Sequence, residues 1–345
     1  SGWTTREMTT TGGVTSITYT AERNETIRLR AVDKAGNISE ETSTQIKIDK
    51  TAPTVTFGTN GNSTYAKSQS TKVTVTDNLS GVATLKYQWT NSTTAPAAST
   101  FTTSFANGST ITKSTDTGSY YLWILATDNA GNQIITRSNV FNLDNTAPTC
   151  SISGNPTSWT KKATLTVSGT DSQSGVYGYS WDGTNYSSTQ TKSINANGTY
   201  TAYVKDNVGR IKNCSASVTK IDATAPTVTF GTNGNSTYAK SQSTKVTVTD
   251  NLSGVSTLKY QWTTSTTAPA ASTFTTSFTN GSTITKATDT GSYYLWILAT
   301  DNAGNQIITR SNVFNLDNTA PTCSISGNPT SWTTSATLTA TGTDT

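Results

Sequence analysis

Apolar residues in this chain rarely stand together; they alternate with Thr, Lys and Arg in short runs such as Val73-Thr-Val-Thr76 and Ile27-Arg-Leu-Arg-Ala31. A period of two sets one face of an extended segment against a core and the other in water, so these runs predict half-buried β-strands and no helix. Between Thr51 and Asp144 the pattern predicts strand A over 54–57, strand B over 72–76, strand C with Leu85, Tyr87 and Trp89, strand F over 120–127 and strand G over 133–143. Two turn signals punctuate it, Asp77-Asn-Leu-Ser-Gly-Val82 after strand B and Asp128-Asn-Ala-Gly-Asn132 after strand F. The polar stretch 91–117 is expected to hold two or three further short strands.

The same pattern then repeats. Residues 51–144 return at 224–317, a shift of 173 residues, with only Ala83/Ser256, Asn91/Thr264, Ala106/Thr279 and Ser114/Ala287 exchanged. A shorter segment, 145–172, returns at 318–345, and 174–222 aligns without gaps on 1–49. Each segment opens on one linker, seen as Ile48-Asp-Lys-Thr-Ala-Pro53, Leu143-Asp-Asn-Thr-Ala-Pro148, Ile221-Asp-Ala-Thr-Ala-Pro226 and Leu316-Asp-Asn-Thr-Ala-Pro321. Its proline fixes φ, restricts the residue before it and removes a donor at the first strand. The expected domains are therefore 1–49 (C-terminal part of a short domain), 50–144 (long), 145–222 (short), 223–317 (long, near-identical to 50–144) and 318–345 (N-terminal part of a short domain). The chain reads as two periods of a longer array, opened inside a short domain. Seven or so strands per segment, with turns at regular spacing, predict an all-β fold of tandem immunoglobulin-like β-sandwich domains arranged end to end.

Comparing copies of strand F assigns its faces. Leu122, Ile124 and Ala126 align with Ile27, Leu29 and Ala31 and with Tyr200, Ala202 and Val204, and these positions are expected in the core. The alternate positions vary, and in the long copies they form an aromatic stripe, Tyr121, Trp123 and Leu125, repeated at Tyr294, Trp296 and Leu298. Such a stripe is either a platform for glycan or self-association or a surface over which the 91–117 region or a neighbouring chain folds. The second is favoured, because exposed apolar stripes are usually covered.

Composition narrows the function. Ser and Thr make up 120 of 345 residues, and histidine is absent. Without imidazole there is no Ser-His or Cys-His pair and no usual proton shuttle, and no phosphate-binding glycine loop precedes a helix, so an enzyme is not expected. The net charge of +4 is scattered over many segments, which argues against nucleic acid as a partner. The longest apolar stretch, 120–126, is far too short to span a bilayer. Of the three cysteines, Cys150 lies in a first strand and Cys214 in the last strand of the same segment. First and last strands of a sandwich can run side by side, so a stapling disulfide is expected there. Cys323 repeats Cys150, but Glu41 stands where a partner like Cys214 would be in the other partial copy.

The Asp-x-Thr-Ala-Pro linkers and the turns Asp33-Lys-Ala-Gly-Asn37, Asp128 to Asn132 and Asp301 to Asn305 resemble those of bacterial immunoglobulin-like repeats from large cell-surface adhesins and stalk proteins. The resemblance covers the whole chain; Asp206-Asn-Val-Gly-Arg210 departs from the turn pattern. It implies an extracellular rod, sometimes stiffened by calcium, that holds a distal binding domain away from the bacterial cell. A surface glycan or host receptor would then be met by domains outside this sequence.

One aspartate recurs in each linker, one after strand B and one after strand F. Sandwich topology is expected to bring Asp49, Asp77 and Asp128 together, then Asp144, Asp171 and Asp206, then Asp222, Asp250 and Asp301. With Asn132 or Asn305, these are hard oxygen ligands suited to Ca2+. Two readings stand: the Asp and Asn residues only build turns, or they also bind calcium at the junctions. Arg210, in place of Asn, makes the middle cluster the weakest candidate. Lys72 with Asn142, or Lys245 with Asn315, has the residue types of an intramolecular isopeptide crosslink, although no neighbouring acid is evident. The leading expectation is a structural stalk; the alternative is an adhesive module acting through the aromatic stripe.

Overall fold

The computed structural model describes residues 16–344; residues 1–15, where the expected partial domain over 1–49 begins, and residue 345 lie outside the described residues. Among the described residues the regular secondary structure is all strand apart from two 3-10 turns, Ala98–Thr100 and Ala271–Thr273. A hairpin comes first, β1 (Arg23–Leu29) against β2 (Thr42–Ile48).

The first long segment holds β3 (Thr54–Phe57), β4 (Asn62–Ala66), β5 (Gln69–Thr76), β6 (Val82–Thr90), β7 (Thr103–Ser104), β8 (Thr110–Lys113), β9 (Gly118–Asp128), β10 (Gln133–Arg137) and β11 (Phe141–Leu143). One sheet has the order β3-β5-β8; the other runs β4-β11-β9-β6-β7, with β10 also on β9. Alternation drives the packing. In β5, Val73 and Val75 point inward between exposed Lys72, Thr74 and Thr76, and they meet Leu122, Ile124 and Ala126 of β9 in one core with Leu85 and Ile111. Burying each large aliphatic side chain contributes about 1.5–3 kcal/mol, so this layer supplies much of the segment's stability. Trp89 on β6 closes one end, edge-on to Phe141 at 5.4 Å.

One expectation changes. Strand G, expected as continuous over 133–143, is broken at 138–140. Ser138 is buried, and its hydroxyl accepts the Leu122 amide at 3.0 Å and donates to the Asn139 carbonyl at 2.8 Å. A side chain thus takes over a ladder bond, releasing β11 to pair in parallel with β4 as well as with β9. The long strand that alternation implied is two short ones.

The aromatic stripe on β9 lies under the stretch that follows β6. Phe101 folds down with Trp123 and Leu125 into a second buried cluster, flanked by Tyr121 and Ile135. Trp123 is only 5% exposed and its indole N–H donates to the Ser92 carbonyl. The guanidinium of Arg137 lies 4.6 Å over the Tyr121 ring. The polar 91–105 stretch is therefore a cover, and Trp296 is buried in the same way under Phe274.

The shorter segment has β12 (Ser151–Ser153), β13 (Ala163–Ser168), β14 (Val176–Ser180), β15 (Thr191–Ile194), β16 (Gly198–Asp206) and β17 (Ile211–Val218), in sheets β12-β13-β15 and β14-β16-β17. Leu165, Ile194, Val218 and Ile221 form its core, with Trp181 and Tyr200 against them. Cys150 and Cys214 are joined as a disulfide, while Cys323 is free and exposed. The second long segment repeats the first from β18 (Thr227–Phe230) to β26 (Phe314–Leu316), and a hairpin of β27 (Thr322–Ser326) and β28 (Thr339–Thr343) follows. The chain is thus an all-β protein of tandem immunoglobulin-like sandwiches.

By contacts the chain divides into two compact units: the part up to Pro148 with Thr170–Tyr177 and Lys205–Ile211, and Thr149–Gly169 with Gly178–Val204 and Lys212 onward. Two turns of the shorter segment thus group with the residues before Pro148. The linker aspartate Asp144 explains why, since it bonds to both turns.

Candidate metal centres at the linker aspartates

Each linker aspartate meets the two turns that follow its segment's strands. Carboxylate oxygens of Asp49, Asp77 and Asp128 all lie within 4.8 Å of one another, as do those of Asp144, Asp171 and Asp206 and those of Asp222, Asp250 and Asp301. All nine expected aspartates are therefore brought into three clusters, and each cluster lies inside one compact unit.

Local hydrogen bonding explains the placement. Asp77 accepts the amides of Leu79 and Gly81 on Oδ2, at 3.1 and 2.7 Å, which closes the turn after β5. Asp128 accepts the amides of Ala130 and Asn132 on Oδ1, closing the turn after β9. Gly131 takes φ +92° there, a conformation that other residues adopt only at a cost. Asn129 then ties one turn to the other by donating to the carbonyls of Ser80 and Gly81. The linker is held in turn: Asp49 accepts the Ser80 amide at 2.8 Å, and its carbonyl accepts the Asn132 side-chain N–H at 3.2 Å. Asp222 repeats both contacts with Ser253 and Asn305.

Ser80 and Ser253 were not among the residues the pattern singled out. Their signal was present as the Ser-Gly of Asp-x-Leu-Ser-Gly, but a backbone amide donor carries no side-chain signature.

The electrostatics favour negative charge at Asp128 in the first cluster and at Asp222 in the third. Burial and the charge of Asp49 work to raise the Asp128 pKa, but the hydrogen bonds from Asn132 and Ala130 outweigh them and hold it below the usual carboxylate range. Asp222 is likewise lowered: burial raises it, and donors from Thr224 and Ser253 more than offset that. Meanwhile one buried oxygen in every cluster, Oδ1 of Asp77, Oδ2 of Asp206 and Oδ1 of Asp250, has no hydrogen-bond partner, and neither do the hydroxyls of Ser80 and Ser253. Burying an ionised oxygen without a partner is costly, and a cation within reach of these oxygens would offset that cost. Calcium–oxygen distances of about 2.3–2.6 Å set oxygens around one ion at most about 5 Å apart, which the observed clusters satisfy.

The middle cluster is hydrogen-bonded differently from the other two. The Ser174 hydroxyl donates to Asp144 at 2.6 Å, and Arg210 turns its guanidinium to Asn145 and the Asp144 carbonyl instead of bridging to Asp206. These bonds attach 170–177 and 205–211 to Asp144, which places both turns with the preceding unit.

The isopeptide pairing is not assembled. Lys72 lies on β5 in one sheet and Asn142 on β11 in the other, with the Asn142 amide engaged by Ser63 and Ser119.

No family model matches this sequence, and no curated protein matches it. Among solved structures it is similar to the three N-terminal domains of the bacteriophage RB49 highly immunogenic outer capsid protein, at 15% identity over 77% of this chain and 98% of that one, with a TM-score of 0.32. Protocadherin gamma B2 extracellular cadherin domains 1–5 match at 14% identity over 87% of this chain and 73% of that one, with a TM-score of 0.30. Sidekick-1 immunoglobulin domains 1–5 match at 12% identity over 85% and 66%, with a TM-score of 0.30.

Proposed function

We propose that this chain is the structural spacer of an extracellular bacterial surface protein or filament, a stalk built by repeating one period of two domains, 50–144 and 145–222, as 223–317 and 318 onward. The observation that carries it is the repeated fastening of linker to turn at Asp49, Asp144 and Asp222, each beside a buried, unpartnered carboxylate oxygen. Bound calcium would offset most of the charge of three converging carboxylates and complete the shell of Asp77 Oδ1 or Asp250 Oδ1. Asp49, Asp77 and Asp128, with Asn132 close by, would hold one ion; Asp222, Asp250 and Asp301, with Asn305 close by, would hold another. Asp144, Asp171 and Asp206 form a third, weaker site, because Ser174 and Arg210 already satisfy part of it. Linker and turns then move as one piece, and length is preserved under thermal agitation.

Burial of Trp123 and Trp296 supports the spacer over the adhesive alternative, since the rings that would stack on sugar are covered. The test is a glycan array together with sedimentation equilibrium of the intact chain in calcium. The spacer reading expects no glycan bound and a monomer. Saturable glycan binding, or concentration-dependent association, would replace it with the adhesive reading.

A further inference from the structure

A pull on the two ends of a sandwich arrives at its outermost strands; in the long segments the first strand, β3, pairs antiparallel with β5, and the second, β4, lies beside the last, β11. In the first long segment β4 and β11 run parallel. The Asn62 amide donates to the Val140 carbonyl at 2.7 Å, and the Asp144 amide to the Ala66 carbonyl at 3.0 Å. The Asn142 side chain adds a bond to the Ser63 carbonyl at 2.7 Å. Pulling the two chain ends apart slides parallel strands along each other, so every bond between them is loaded at once and none can open alone. Close approach here requires glycine: a Cβ on Gly61, at φ +88°, would sit 2.6 Å from Cβ of Asn139. β19 (Asn235–Ala239) and β26 repeat the arrangement in parallel.

The short segment is fastened differently. Its parallel contact is one bridge, Thr160 with Ile221. There the first strand is tied to the last by the Cys150–Cys214 bond, which closes over a separation of 64 residues. The weaker ladder carries the covalent bond, and the stronger ladders carry none.

We propose that the chain is a load-bearing tether in which each sandwich holds tension at its last strand, through a sheared parallel ladder with the second strand in the long segments and through the disulfide to the first strand in the short one. This goes beyond spacing and does not depend on a bound cation. Tension passing through Cys150 and Cys214 bypasses the residues between them, which stay folded while the bond is intact.

The test is to stretch the intact chain from its two ends in a single-molecule force experiment, with and without a phosphine reductant. Besides short releases from the terminal hairpins and from β3 and its repeat, the oxidised chain should give two steps of about 28 nm, from the 81 residues separating Asn62 and Leu143 and their repeat, at about 3.5 Å each. Reductant should add a third step of about 22 nm from the 64-residue loop, at lower force than the other two. Replacing Asn142→Ala together with Asn315→Ala should speed long-segment unfolding at constant force roughly tenfold. Phe101→Leu with Phe274→Leu, in the second core away from the ladder, should lower the melting temperature while changing that rate less than about twofold. A step of about 22 nm before reduction, or equal effects of the two variant pairs on the rate under load, would overturn the proposal.

Discussion

At the scale of single residues, the clusters show how side chains with ordinary turn roles acquire a second one. Asp250 spends one oxygen on the amides of Leu252 and Gly254 and leaves the other buried and unpartnered. Asp250→Asn keeps a turn-forming side chain but removes a ligand charge. Combined with Asp77→Asn, it should abolish most of the calcium-dependent stabilisation, which at a hundredfold excess over Kd amounts to about 2.7 kcal/mol per site; melting in calcium and in chelator checks this. Gly61→Ala should destabilise by about 2–3 kcal/mol, read from urea midpoints, because the added methyl meets Asn139 in a conformation that disfavours alanine.

Asp182 provides a pH test away from the clusters. The Asn185 side chain and amide, Ser180 and Thr184 all donate to it and hold its carboxyl below the usual range. A depressed folded-state value means that its stabilisation is complete at neutral pH and is lost as pH falls below the unfolded value of about 3.9. Urea midpoints measured from pH 7 down to 2 should therefore fall more steeply for the parent chain than for Asp182→Asn. The aspartates themselves were legible in the sequence as linker and turn residues. Their donors, such as the Ser80 amide, were not, since any residue can supply a backbone N–H.

At the scale of elements, the inward face of β9 was legible because Leu122, Ile124 and Ala126 recur with period two against three different partner sets. Each is fully buried. The outward face was harder to read. Phe101 follows a 3-10 turn with no period, so nothing local says that it folds onto Trp123. Strand G misled for a related reason, since Ser138 looks like any polar strand residue until its hydroxyl bonds Leu122. The cover on β9 makes a direct prediction: Trp123→Ala should cost about 3–5 kcal/mol in chemical denaturation of the long segment, the range for removing a large buried ring. A change under 1 kcal/mol would mean that the ring is exposed in solution.

At the scale of the whole molecule, repetition was the most legible property, because near-identical copies fold into the same strands and the same clusters. Four substitutions in the long segment alter none of the nine aspartates. What differs between segments, Arg210 for Asn and the disulfide in place of a longer parallel ladder, falls on the short one. The period thus alternates a sandwich fastened by hydrogen bonds and a candidate ion with one fastened covalently, and every linker enters its segment through an aspartate. Calorimetric melting of the intact chain in excess calcium and in excess chelator tests this account most directly. A higher transition temperature is expected in calcium, with most of the difference removed by Asp77→Asn and Asp250→Asn together; superimposable melts in the two conditions would contradict it.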